Sequence, residues 1–548
     1  MSLYTDASLI MFPSGYKEDK IYSLKPTDGS GDLTFTRAST ATRVNAEGLI
    51  ETASVLGSEL ITNGDFATDT IWVKGTGTTI SGGKANLSNG NAVALYQDIG
   101  TQSGLVEVTF TVTNYTSGTL NVYSGSNQSA TDINVVANAL GTYTFNVIRT
   151  GGNANIIFGS LSNFTGSIDN VSIKEVITLN VPRIDYTSGC GSLLLEPQRT
   201  NLATYSEQFD NAAWTKSNTT ISANATTSPD GTINADKLVE DTSTGIHILQ
   251  PTTPIVTVVS TSYSLSAFYK IGERPYAIIG LHYNTSNGCV AEYEFSTDTF
   301  VYSGAAGTNY SISNLKSIIL ANGFVKLSCT VTTGHTVAFP SFGIHKDLLT
   351  SGIIGNNTYT GDGTSGVYVW GGQLEAGSYV SSYIPTLASS VTRLADSASK
   401  TGISSLIGQT EGVLFADVYF NGVNESVSQT SIFVRTAGAN TGYVFISFYQ
   451  GKINVGFRVA GSTLFDILIG STLSAGRYKI AFAYKSGDIA FYVNGSLIDT
   501  RGSTFGTTSF SEIYLGGAIG NQLGDGLNQA QLYTTRLSNA ELATLTTL

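Results

Sequence analysis

Residues Tyr478–Lys485 read Tyr-Lys-Ile-Ala-Phe-Ala-Tyr-Lys, so Tyr478, Ile480, Phe482 and Tyr484 alternate with small or charged side chains. A large apolar residue at every second position is the pattern of a strand with one buried face. After a Ser-Gly-Asp break the alternation resumes through Ile489, Phe491 and Val493 and meets Asn494-Gly495. Asn-Gly between two such runs favours a tight hairpin, because both residues tolerate positive φ. A helix cannot put these side chains on one face, so this stretch commits its neighbourhood to sheet. The same period recurs at Val106–Val112, Tyr263–Tyr269, Ala277–Tyr283, Val325–Val331 and Ile453–Val459. Tyr443–Tyr449 carries large apolar residues at consecutive positions and reads as a strand buried on both faces.

Composition extends this reading to the whole chain. Only 12% of the 548 residues are charged and 60 are glycine, while 41% are hydrophobic, enough to build a core. This is the balance of short strands joined by many turns. The length exceeds what one core holds, so several domains are expected. One short helix is expected at the end: Ser538 and Glu541 fit a capping box, and Leu537 and Leu542 stand where a hydrophobic staple would.

The formal net charge of −12, with no Lys/Arg cluster, argues against nucleic acid as partner. No apolar run approaches the ~20 residues of a membrane helix, so no membrane insertion is expected. Met1–Asp6 lacks the basic start of a signal peptide, and synthesis in a cytoplasm is the expectation. Cys289 and Cys329 lie on apolar sides of alternating runs and read as small core residues, and Cys190 sits in a Gly-Cys-Gly turn. A disulfide framework is not expected.

Internal echoes suggest modules. Ala38-Ser-Thr-Ala-Thr-Arg-Val44 returns as Ala388-Ser-Ser-Val-Thr-Arg-Leu394. Phe66, Trp72, Lys74 and Thr78–Ser81 are matched in order, and in spacing to within a residue, by Phe209, Trp214, Lys216 and Thr219–Ser222, as in a duplicated β-sandwich.

Several phrases also resemble known families. The Asn63–Trp72 stretch, closing later in Ile168-Asp-Asn-Val-Ser-Ile173, resembles the jelly rolls of carbohydrate-binding modules. The YVNG turn and the closing Leu532–Leu545 segment resemble laminin-G/concanavalin-A-like domains. Phe35–Glu51, Val181–Tyr186, Ser192–Leu202 and Trp370–Thr386 resemble phrases of tailed-bacteriophage fibre and virion structural proteins. The resemblance implies an all-β chain of tandem sandwiches: an attachment and connector region at 1–55 continued by 177–200, jelly rolls at 56–176 and 201–396, and a concanavalin-A-like sandwich at 397–548. In that reading the first jelly roll is inserted into a split connector.

It further implies a protein at the virion surface that binds without turnover. Its partners would be other virion proteins, through the N-terminal region, and a host cell-surface glycan, with a homotrimer as the usual symmetry. A glycan-degrading virion enzyme and a purely structural virion component are the alternatives. Catalytic spacings are mostly missing: there is no Gly-x-Ser-x-Gly elbow, no His-Glu-x-x-His and no phosphate loop. The four histidines, His247, His282, His335 and His345, lack ligand spacing and read as surface or half-buried residues.

By residue type Trp72, Trp214 and Trp370 are stacking candidates for a sugar ring, weighed against core packing, which their positions favour. Asn440, Tyr443, Asn521 and Asp525 are loop candidates in the last domain. No cofactor is required. Asp65 and Asp169 stand where jelly rolls of this kind hold a structural calcium, a hard cation suited to carboxylate oxygen, against plain turn and strand-edge roles.

Overall fold

The computed structural model describes residues 3–13, 15–88, 93–101, 103–124, 135–149, 155–160, 162–420, 422, 429–438, 441–470, 472–516 and 526–548. Among these the regular secondary structure is almost entirely antiparallel sheet, arranged as tandem β-sandwiches with a short C-terminal helix, Asn539–Thr546. It divides into two compact units, one of Ser54–Thr178 and one of Met1–Ala53 with Leu179–Leu548.

The smaller unit is one sandwich. Its central strand Gly104–Ser117 lies between Gly141–Arg149 and Thr165–Ile177, and the facing sheet includes Leu95–Asp98, Leu120–Ser124 and Asn155–Gly159. Val106, Val108, Phe110 and Val112 all point into the core, as their period requires. The unit's first strand pairs with its last, Val55 opposite Ile177, so the chain enters and leaves side by side.

The larger unit holds two sandwiches. In the first, a sheet containing Tyr276–Asn284 and Asn287–Glu294 packs on one containing Ser262–Lys270, Val325–Thr332 and Gly366–Ala376. Cys289 and Cys329 lie in the core between them, and all three cysteines are free thiols.

The last sandwich is built from a nine-stranded and an eight-stranded sheet. The alternating Tyr478–Lys485 run lies in Gly476–Lys485, which pairs Ile480 with Val493 and Phe482 with Phe491. Asn494 and Gly495 take φ values of 48° and 81°, the left-handed turn that the sequence asks for. Ser538 caps the final helix in a full capping box with Glu541, and Leu537 and Leu542 are buried together.

Strands of the N-terminal region and of residues 183–194 join the sheets of the last sandwich. Leu9–Met11, Arg183–Asp185 and Ser192–Leu194 belong to the eight-stranded sheet, while Tyr16–Lys17, Lys20–Ile21 and Leu33–Thr36 form one edge of the nine-stranded sheet. Runs of two to four residues carry no readable period. They become strands only by extending a sheet that others have formed.

Charged residues far apart in sequence meet in space. Arg37, Arg183 and Arg393 converge on Glu196 and Asp396, all five side chains at most 3% exposed. Arg37 Nη1 donates to Asp396 Oδ1 at 2.8 Å and its Nη2 to the Val181 carbonyl at 2.8 Å. Arg183 bridges both acids, reaching Glu196 Oε2 at 2.7 Å and also Asp396. Arg393 closes the ring on Glu196 at 2.6 Å. Burial would raise the Glu196 carboxyl, but Arg393 and Arg183 outweigh it and hold the group well below the ordinary range. Burial draws Arg37 down to about 10, still charged at neutral pH.

Candidate functional site

The two faces of the last sandwich are finished differently. The outer face of the eight-stranded sheet, carrying Val413, Phe415, Ala481 and Ala483, is covered by Ala7 and Ile10 from the N-terminal segment and by Leu537 and Leu542 at the C-terminal helix. On the nine-stranded sheet, residues that alternate with the core set out a grid in two rows.

Strand pairing fixes the grid. One row runs Ser399, Tyr514, Phe433, Phe445, Gly456 across five adjacent strands. The other runs Thr401, Glu512, Arg435, Tyr443, Arg458. Their chain neighbours Ile432, Val434, Val444, Ile446 and Ile513 all point into the core. The first row is aromatic at its centre, and the second is polar and charged apart from Tyr443.

The aromatic rings pack on one another. Phe433 lies 5.8 Å from Tyr443, 6.2 Å from Phe445 and 6.3 Å from Tyr514. They leave Phe433 only 4% exposed while Tyr443, Phe445 and Tyr514 stay half-buried. A Cβ on Gly456 would come 2.3 Å from Phe445 Cε1, so the Phe445 ring lies across the glycine. The missing side chain lets the ring lie down against the sheet.

The polar row is held rigid. Arg435 Nε donates to Glu512 Oε2 at 2.7 Å, its Nη2 donates to the Tyr514 hydroxyl at 2.8 Å, and the guanidinium stacks 4.8 Å above the Tyr514 ring. The Tyr514 hydroxyl in turn donates to Glu512 Oε2 at 2.9 Å. Burial would raise the Glu512 carboxyl, but the bonds from Arg435 and Tyr514 prevail and keep it below its ordinary value. The result is a flat apolar strip beside a fixed acceptor and a fixed cation.

Of the sequence candidates, Tyr443 lies on this grid. Asn440, Asn521 and Asp525 fall outside the described residues. The strand Tyr443–Tyr449 is not buried along the whole of both faces: Tyr443, Phe445 and Tyr449 are half-buried outer residues, Ser447 between them is buried, and Val444, Ile446 and Phe448 join the core. Consecutive large apolar residues looked doubly buried because the outer ones are aromatic too. Phe433, Phe445, Arg435, Glu512 and Tyr514 escaped sequence reading for lack of a cross-strand register.

The three tryptophans are core residues, 4%, 2% and 1% exposed for Trp72, Trp214 and Trp370, so their indole faces are not offered to a ring from outside. Trp72 and Trp214 share one local device. Trp72 Nε1 donates to the Asn63 carbonyl at 2.9 Å, and Trp214 Nε1 to the Tyr205 carbonyl at 3.1 Å, each nine residues upstream. Both acceptors have positive φ, 55° and 51°. Each indole also packs on the preceding phenylalanine, at 5.4 Å from Phe66 and 4.9 Å from Phe209.

Asp65 is exposed and accepts from Ala67 N at 3.3 Å, while half-buried Asp169 accepts from Asn170 N at 2.6 Å. Among the described residues no group of three or more His, Cys, Asp or Glu side chains gathers as metal ligands. Three of the four histidines are buried, contrary to the surface or half-buried reading. His247 bonds the carbonyls of Asn218 and Tyr359, and His282 bonds Ser341 at 2.6 Å, satisfying ring nitrogens that sequence cannot place. Only His335 is half-buried.

No protein-family model matches the chain, and no curated protein is matched either. Solved structures give partial likenesses. The CBM40 module of a Ruminococcus gnavus sialidase, bound to α2,3-sialyllactose, is 18% identical over 26% of this chain and 84% of its own, with a TM-score of 0.22. The receptor-binding domain of a botulinum neurotoxin mosaic serotype C/D is 14% identical over 27% of this chain and 39% of its own, with a TM-score of 0.23. A Trypanosoma rangeli sialidase is 11% identical over 57% of this chain and 60% of its own, with a TM-score of 0.24.

Proposed function

We propose that the two-row grid on the nine-stranded sheet binds a sugar chain, and that the protein acts by holding a surface glycan without turnover. The observation that carries this is Tyr443, Phe445 and Tyr514 presented half-buried beside the Arg435–Glu512 pair. The C–H face of a pyranose packs on such rings, and its hydroxyls need fixed donors and acceptors at the edge. Arg435, Glu512, Ser399 and Thr401 supply both. A site on strands holds its geometry better than one on loops.

The setting proposed is the surface of a tailed-phage particle, supported by the Phe35–Glu51, Val181–Tyr186, Ser192–Leu202 and Trp370–Thr386 phrases. There a weak single site gains strength from copy number, as a trimer and through many copies per particle. Other virion proteins and a host surface glycan are the partners in this reading. Calcium held by Asp65 and Asp169 belongs to it as a stabiliser of the small unit, and added Ca²⁺ is expected to raise the melting temperature of the wild type but not of Asp169→Asn.

The test is a glycan array probed with the full chain and with Tyr443→Ala and Arg435→Ala. Retention by the wild type, lost in both variants while their circular dichroism is unchanged, is the expected result. Equal retention by the variants would place the site elsewhere. Release of reducing ends from a retained polysaccharide would favour the enzyme alternative.

A further inference from the structure

The rows of the grid run across the strands and continue beyond its five central ones. In the aromatic row Ser399 stands opposite Thr34 at one end and Gly456 opposite Asp466 at the other. In the second row Arg458 stands opposite Thr463. Adjacent strands lie about 4.8 Å apart, so Ser399 to Gly456 alone spans about 19 Å. A single sugar ring covers only a fraction of that length.

Neither end is walled by these rows. Thr34, Thr463 and Asp466 are exposed, Ser399 is small and Gly456 has no side chain. The cavity of about 440 Å³ in the larger unit is lined by other residues, among them Phe268, Lys326 and Tyr383, and by none of the grid. A site that reads the end of a glycan must enclose the terminal hydroxyls in a concave pocket. A strip open at both ends encloses no terminus.

The rings are laid out in a line. Tyr514 and Phe445 are half-buried, with Phe433 as the floor between them at 4% exposed. Two strand spacings separate them, about 10 Å. Rings on a straight line meet successive sugars only of a chain that is itself straight. A coiled glycan turns away after one contact.

The polar row runs alongside. Tyr443 stands between Arg435 and Arg458 and widens the strip. Arg458 donates through Nε to the Gly461 carbonyl at 2.9 Å and pairs with no carboxylate among the described residues. A guanidinium carries five N–H donors, so its two amino groups remain for ligand hydroxyls.

We infer, resting on the glycan reading of this face, that the grid binds the interior of an extended polysaccharide. The chain lies across the strands, its sugar faces on Tyr514 and Phe445 and its hydroxyls along the Glu512–Arg435–Arg458 row. One long chain then offers many overlapping registers, which several weak sites can occupy together.

The test is an array of size-graded oligosaccharides probed with the full chain. It carries di-, tetra- and hexasaccharides of β1,4-linked glucose, N-acetylglucosamine, mannose and xylose, with α1,4-linked glucose as the coiled comparator. In at least one β1,4 series the hexasaccharide is expected to be held at least about tenfold more tightly than the disaccharide. A methyl cap on its terminal 4-hydroxyl should leave retention unchanged. Phe445→Ala and Arg458→Gln should each weaken hexasaccharide retention at least about threefold, and Arg458→Gln serves if Phe445→Ala fails to fold. No retention of any β1,4 series, equal retention of di- and hexasaccharide, loss on capping, tighter binding of the α1,4 series, or unchanged retention in the folded variants would overturn the inference. If retention is lost in Tyr443→Ala under those outcomes, the grid still binds glycan and only the extended-chain inference fails. Equal retention by Tyr443→Ala and the wild type would remove both.

Discussion

Among single residues, Asp396 is the one whose loss should cost most without touching the grid. It accepts from Arg37 and Arg183 and from the Glu196 N–H at 2.8 Å, at zero side-chain exposure. Its neutral amide would leave guanidiniums uncompensated in a dry interior, a change that costs about 3–5 kcal/mol. Asp396→Asn is therefore expected to lower the thermal transition of the larger unit by several degrees, with retention on glycans unchanged below that transition. Glu292 supplies a second residue-scale test. It is fully buried, accepts from Leu349 N at 2.7 Å, and burial pushes its carboxyl up to about 7. A carboxyl raised on folding gives stability that is complete below its ordinary range and lost as pH climbs through about 7. His345, its Nδ1 3.8 Å from Glu292 Oε1, is shifted down by burial and so acts oppositely, costing stability as pH falls. Glu292→Gln isolates the first effect: the melting temperature of the wild type minus that of the variant should fall between pH 5 and pH 8. A constant difference would refute it.

At the scale of elements, the strand Lys452–Val459 should tolerate no side chain at its centre if the grid is a binding face. Gly456→Val must push the Phe445 ring off the sheet, since the new Cβ starts 2.3 Å from Cε1. Overpacking of this kind costs about 1–3 kcal/mol. Loss of glycan retention in a variant that still folds is the expected result, and full retention would show that the Phe445 position does not matter. The C-terminal helix offers a smaller effect. Ser538→Ala removes the cap on Glu541 N and should cost about 1 kcal/mol, read as a fall in the unfolding midpoint. Both the Asn494-Gly495 hairpin and this capping box were legible in the chain, because each is settled by residues within a few positions of one another. The strand Tyr443–Tyr449 was misread for the opposite reason. Whether an aromatic residue faces core or outside depends on the partner strand, and residues 452–459 and 429–436 supply that.

At the scale of the molecule, the smaller unit enters and leaves through paired residues, Val55 opposite Ile177. Excising Ser54–Thr178 and joining Ala53 to Leu179 by a short Gly-Ser linker is expected to leave the larger unit folded, with its thermal transition and glycan retention intact. Collapse of that unit on excision would mean that the two units are not independent. Within the larger unit the reverse holds. Strands from residues 9–36 and 183–194 complete both sheets of the last sandwich, so removing the N-terminal segment should unfold the domain most distant from it in sequence.

The amino-acid sequence by itself determined the period-two strands, the tight turns, the final helix and the all-β class, because these follow from neighbours along the chain. It also carried the phrases holding Arg37, Arg183, Glu196 and Arg393, without showing that these charges meet on Asp396. Only the tertiary structure decided that they form one buried ionic cluster, that three tryptophans and three histidines are interior, and that Arg435, Glu512, Tyr514, Tyr443 and Phe445 share an outer face. Each of those outcomes is a matter of register between strands far apart in sequence, and a shift of one residue would send every one of these side chains to the other side of its sheet.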